Sequence, residues 1–129
     1  MDKVVHFEIE ADDLNRAEDF YKQVFGWGIN KVPMGGGVDY YIIHTAKTDD
    51  KGMIQEMGAI NGGMFKRSGK GYGPVIVIDV ANLDETLKKI EAKGGTIVSA
   101  KQTVGDMGLY ARVKDSEGNI IGVWEDLKK

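Results

Sequence analysis

The chain of 129 residues has no cysteine and two histidines, His6 and His44. Without thiols there are no disulfides, thiolate zinc sites or cysteine nucleophiles, so any metal would need His, Asp, Glu or Gln. No apolar run approaches the roughly 18 residues of a membrane span. The N-terminal residues enter a strand-like run with no signal-peptide layout. No membrane partner and a cytoplasmic location are the expectations. An excess of positive charge is also missing: 17 basic and 20 acidic residues give a net charge of −3. The basic residues are interspersed with acidic ones and offer no footprint for a phosphate backbone, so nucleic acid is not expected as a partner. What remains is 42% hydrophobic and 29% charged, an ordinary composition for one packed domain.

The chain is written twice. VVHFEIEADDLNRAEDFYKQVFG aligns without gaps with PVIVIDVANLDETLKKIEAKGG, at a constant offset of 69 (83 − 14). Each copy opens on a β-branched and apolar run, meets a capping residue and switches to helical periodicity. Asn82 and Glu85 have capping-box spacing, and Asp13 is the counterpart of Asn82. Leu14, Ala17, Phe20, Tyr21, Val24 and Phe25 form one apolar stripe, as do Leu83, Leu87 and Ile90, so both helices must pack on something. Gly26 and the pair Gly94-Gly95 close them.

Three strand-like segments follow each helix. They are GWGINKV, VDYYIIHT and MIQEMGAINGGMF in the first copy, and TIVSA, MGLYARVKD and NIIGVWED in the second. The unit therefore reads strand, helix, three strands, with repeats at about 1–66 and 73–129 of a single domain. Between them, KRSGKGYG lacks the Ser or Thr and the upstream glycine of a phosphate loop. The Gly35-Gly37 cluster lacks the following helix that an anion cradle needs.

A duplicated βαβββ unit of this length resembles the vicinal oxygen chelate superfamily of glyoxalase I, bleomycin-resistance proteins and extradiol dioxygenases. The residues that carry the resemblance are His6 on the first strand, DLNRAEDFYKQVFGW, INGGMF, IEAKGGTIV and GLYARVKDSEGNIIGVWE. Together they are most similar to the subgroup of glyoxalase-related predicted enzymes. The resemblance implies an α+β fold in which two βαβββ units form a cupped mixed β-sheet with helices outside. It also implies a homodimer. Alternation along the first strand then puts Val5, Phe7 and Ile9 against the helix and His6, Glu8 and Glu10 on the other face. Val75, Val77 and Asp79 match them in the second copy. Aligning the last strands pairs Gly62 with Gly122 and Met64 with Trp124.

Metal-dependent members take ligands from the first and last strands of each unit, positions that fall on His6, Gly62, Val75 and Gly122. One imidazole among four cannot make a catalytic zinc site, which needs at least three protein donors. No cofactor is therefore expected. A divalent metal would require a rearranged set drawing on Glu8, His44 or Glu56, or a slipped last-strand alignment bringing in Asn61, Glu56 or Glu125.

The candidate site residues are His6 and Glu8 as a catalytic pair and Met64, Val75, Val77, Arg112 and Trp124 as ligand-binding residues, with no metal ligands. Glu8 would raise the pKa of His6 and let the pair act as a general base. The alternative for His6 is a partly buried neutral imidazole without chemistry. Trp124 either stacks on a planar ligand or fills the interior. Arg112 either holds an anion or lies on a solvated face. The facing of Tyr40, Tyr41, Tyr72 and Tyr110 stays open, because the loops of the two copies differ in length. Three functions follow: a small-molecule-binding protein without the inherited metal site, a glyoxalase-related lyase or isomerase using a rearranged metal site or the His6-Glu8 pair, and an interaction domain with a filled cavity.

Overall fold

The structure is a computed structural model that describes residues 1–33, 39–68 and 73–127. The Gly35-Gly37 cluster, the centre of the basic link and Tyr72 lie outside the described residues. The order is β1 (Lys3–Ala11), α1 (Leu14–Phe25), β2 (Gly28–Pro33), β3 (Asp39–His44), β4 (Asn61–Lys66), β5 (Val75–Asp79), α2 (Leu83–Ala92), β6 (Thr96–Val104), β7 (Gly108–Lys114) and β8 (Ile120–Asp126). This is the expected βαβββ unit twice over, an α+β fold. Among the described residues no helix is long and apolar enough to cross a membrane.

The chain divides into two compact units, an N-terminal one of residues 6–74 and a C-terminal one of 75–129 that also includes residues 1–5. In the N-terminal unit β1 pairs in parallel with β4, which pairs antiparallel with β3, and β3 with β2. The C-terminal unit repeats the plan, with β5 parallel to β8 and the antiparallel ladder continuing through β7 to β6.

Local chemistry sets the helix ends. The side chain of Asp13 accepts from the backbone N–H of Arg16, and that of Asn82 accepts from Glu85. Each satisfies an amide that the first turn leaves without an intrahelical partner. Gly26 closes α1 in the left-handed region at φ 72°, where a side chain would be strained. A further ligand serves α2: the Glu125 carboxylate on β8 accepts from the backbone N–H of Leu83 at 2.7 Å, placing negative charge where the helix dipole favours it.

Each helix covers one face of the strands of its own unit. In the C-terminal unit Leu83 and Leu87 sink among Ala111, Val113 and Val123. In the N-terminal unit Leu14, Ala17 and Tyr21 pack on Ile29, Tyr41, Ile43 and Met64, with Trp27 stacked on Tyr21 at 4.9 Å. The expected six-residue stripe of α1 is only half used. Phe20, Val24 and Phe25 stay 53%, 56% and 59% exposed, because they lie on the flanks of an apolar arc wider than the strip the sheet covers.

Candidate functional site

Register decides which residues share the face that the helix leaves open. In the N-terminal unit His6 pairs with Asn61, Glu8 with Gly63 and Glu10 with Phe65, while Tyr40 lies opposite Phe65. Directly paired residues point the same way. This face therefore carries His6, Glu8, Glu10, Tyr40, Gly63 and Phe65. His6 and Glu8 stand where the sequence places them.

Met64 does not. It is fully buried on the opposite face among Tyr41 and Ile43, under α1, and Phe65 takes the place expected for it. Gly62 is likewise on the helix side, where a Cβ would come within 2.6 Å of the Phe7 ring and of its carbonyl oxygen. Both corrections have one cause. The last strands align one residue away from the expected pairing, so Gly63 rather than Gly62 matches Gly122, and a slip of one residue exchanges the faces of a strand.

In the C-terminal unit Val77 pairs with Gly122 and Asp79 with Trp124, and Arg112 and Tyr110 lie opposite those same two residues on β7. Val75, Val77, Arg112 and Trp124 thus share the open face, with both valines buried. The Arg112 Nε donates to the Tyr110 hydroxyl at 3.0 Å, and the Tyr110 and Trp124 rings are 6.5 Å apart.

Sequence reasoning left Tyr40, Tyr110 and Phe65 unassigned. On the open face of the N-terminal unit, His6 Nε2 and the Tyr40 hydroxyl are 3.3 Å apart and share a hydrogen bond whose donor follows the imidazole tautomer. Tyr40 stacks on Phe65 at 6.3 Å, as Tyr110 leans on Trp124. The signal in the sequence was the offset of the two tyrosines, 70 (110 − 40), within one residue of the repeat offset.

Burial lowers the His6 pKa below its ordinary value of 6.5, and the Glu8 carboxylate opposes the shift without overcoming it. The expected upward tuning by Glu8 is therefore corrected: desolvation disfavours the imidazolium more than one carboxylate favours it. The unfolded chain takes up the proton near 6.5 and the folded chain only at lower pH. The contribution is thus complete above 6.5 and is lost as pH falls through that value toward the folded pKa. We expect the thermal midpoint to fall between about pH 7 and 5 and that fall to shrink in His6→Gln. An equal slope in the variant would assign the pH dependence to other groups.

The donor chemistry does not fit an inherited metal site. Beside His6 on the open face, the side-chain oxygen of Asn61 accepts from the backbone N–H of Thr45 at 2.8 Å and of Ala46 at 3.1 Å, and Gly63 offers no side chain. Val75, Val77 and Gly122 carry no donor either. Glu125 is engaged at the start of α2, and Glu56 lies exposed outside the strands. Among the described residues no three of His, Asp and Glu come together as a metal-binding group. Two clefts of the N-terminal unit lie elsewhere: one beside α1 between Ile9, Arg16, Phe20 and Arg67, the other around His44, Thr45 and Lys47.

Comparison with known proteins agrees with this architecture. The chain is 25% identical over 120 residues to the "Putative glyoxylase CFP32" of Mycobacterium bovis and of Mycobacterium tuberculosis, covering 92% of this chain and 43% of each relative. It therefore spans less than half the length of those relatives. A hypothetical protein from Bacillus halodurans C-125 superposes with a TM-score of 0.70 at 13% identity, covering 99% of this chain and 96% of the other. A Streptomyces coelicolor methylmalonyl-CoA epimerase variant in complex with 2-nitronate-propionyl-CoA gives 0.67 at 16% identity, covering 96% of both chains. The methylmalonyl-CoA epimerase of Mycobacterium tuberculosis gives 0.63 at 15%, covering 95% and 87%. At these identities the structures speak for the fold. The family model of the Glyoxalase/Bleomycin resistance protein/Dioxygenase superfamily matches residues 3–123, and the chain belongs to that superfamily.

Proposed function

We propose that the chain binds a small organic molecule on the open strand faces of its units, through protein groups and without the inherited metal. The observation that carries this reading is the donor set: His6 is the one metal-ligating side chain among His6, Gly63, Val75 and Gly122, and catalytic zinc sites need three. Apolar walls with a few polar groups are the usual make-up of a small-molecule site, and each open face has them: Phe65 beside His6 and Glu8 in the N-terminal unit, and Val75, Val77 and Trp124 beside Arg112 in the C-terminal unit. The Streptomyces coelicolor epimerase of this fold is in complex with 2-nitronate-propionyl-CoA, which makes short acyl-CoA esters the first probes. A cytoplasmic location and the pairing of two copies belong to the same proposal, the latter checked by sedimentation.

A second reading, a glyoxalase-related lyase or isomerase, is favoured by the lowered His6 pKa. A neutral imidazole is ready to accept a proton near neutral pH. The test begins with metal analysis of protein purified without chelator, where substoichiometric zinc, nickel, iron and manganese are expected. Stoichiometric metal lost in His6→Ala overturns the metal-free reading. Thermal shift with acyl-CoA esters and a library of small carbonyl compounds should raise the midpoint, because a ligand of the native state stabilises it. Silence across both sets overturns ligand binding, and turnover of a responding compound that is lost in His6→Gln selects the enzyme.

A further inference from the structure

The two last strands carry glycines placed alike. Gly63 pairs with Glu8 and Gly122 with Val77, and the two partners are 69 residues apart (77 − 8), the repeat offset. Each glycine lies beneath the hydroxyl end of a tyrosine from the neighbouring strand. A Cβ at Gly63 would overlap the Tyr40 hydroxyl, and one at Gly122 would come within 2.6 Å of the Tyr110 hydroxyl. In both units the tyrosine ring rests against an aromatic residue two positions beyond the glycine, Phe65 or Trp124. The hydroxyls differ in what they hold, His6 Nε2 in one unit and Arg112 Nε in the other. The arrangement thus recurs in two segments of low sequence identity.

The geometry points to Tyr40 as the positioning residue that has taken the place of a metal and its last-strand ligand beside His6. Its hydroxyl fills the volume that a carboxylate side chain at position 63 would need, and it engages an imidazole nitrogen that a metal would use. This rests on the metal-free reading above and sharpens it, since a bound molecule then meets a phenol–imidazole pair held over a glycine. A ligand side chain at position 63 and the present position of Tyr40 exclude one another.

Cobalt(II) and the full chain provide the test, read through the visible absorption of the bound ion. Wild type should show no saturable uptake. Combining Tyr40→Ala with Gly63→Glu clears the hydroxyl and places a carboxylate on β4 directly opposite Glu8 and one same-face step along from the pair of His6 with Asn61, giving the three donors a site needs. That variant should bind one cobalt per chain, with bands lost on adding His6→Ala. A folded double variant that binds cobalt no better than wild type overturns the inference. Uptake by wild type that depends on His6 overturns the metal-free reading itself. If the double variant does not fold, a mutant cycle decides: Gly63→Ala should lower the thermal midpoint, and that loss should largely disappear in a Tyr40→Ala background. An equal loss in both backgrounds overturns the proposal.

Discussion

Met64→Ala is expected to remove about 2–5 kcal/mol of stability, the range for truncating a long apolar side chain inside a packed core. Met64 is 0% exposed and packs with Tyr41 and Ile43 beneath α1, so truncation leaves a cavity within that cluster. Phe65→Ala, one residue along, should cost less in folding, because that ring is only partly buried and rests on Tyr40. Its loss should show as a weaker midpoint rise with any responding ligand. Urea unfolding of both variants checks the order, with unchanged m confirming that the midpoint reports stability. The reverse order, with Met64 the tolerant position, would return Met64 to the open face and undo the register of β4.

Gly62→Ala should be comparably severe, at about 3 kcal/mol, the upper end of the usual cost of overpacking. The added methyl would meet the Phe7 ring and the Phe7 carbonyl oxygen, each at 2.6 Å. A side chain can rotate away, but the carbonyl belongs to the β1 strand and moves only if the strand moves. Gly63→Ala meets the hydroxyl end of Tyr40 instead, an obstacle with torsional freedom, and should be the milder of the two. Thermal midpoints of the two alanine variants test this directly. A neutral Gly62→Ala is incompatible with Gly62 facing the helix.

These two positions also mark where the sequence stops being readable. Caps and helical period are local, so Asp13, Asn82 and the offset between Leu14 and Leu83 place β1, α1, β5 and α2 correctly. The facing of β4 depends on its register against β1. The run Asn61-Gly62-Gly63-Met64-Phe65 offers two adjacent glycines followed by two adjacent bulky residues, so a slip of one leaves the pattern looking the same while exchanging the faces. In α1, periodicity identifies the apolar side but not the width of the sheet that meets it, which is why Phe20, Val24 and Phe25 remain uncovered. For His6 the neighbouring carboxylate is visible in the sequence and the extent of burial is not. The balance between them appears only in the fold.

The parallel pairing of first and last strands also bears on how the chain folds. It joins His6 to Asn61 in the N-terminal unit and Val77 to Gly122 in the C-terminal one. These pairs close over 55 residues (61 − 6) and 45 residues (122 − 77), and closure entropy of that kind must be met before the contacts it enables reward it. The two repeats share a pattern and differ in contact order. The C-terminal one closes the shorter loop, while the N-terminal one carries the long connection between His44 and Asn61 inside its own.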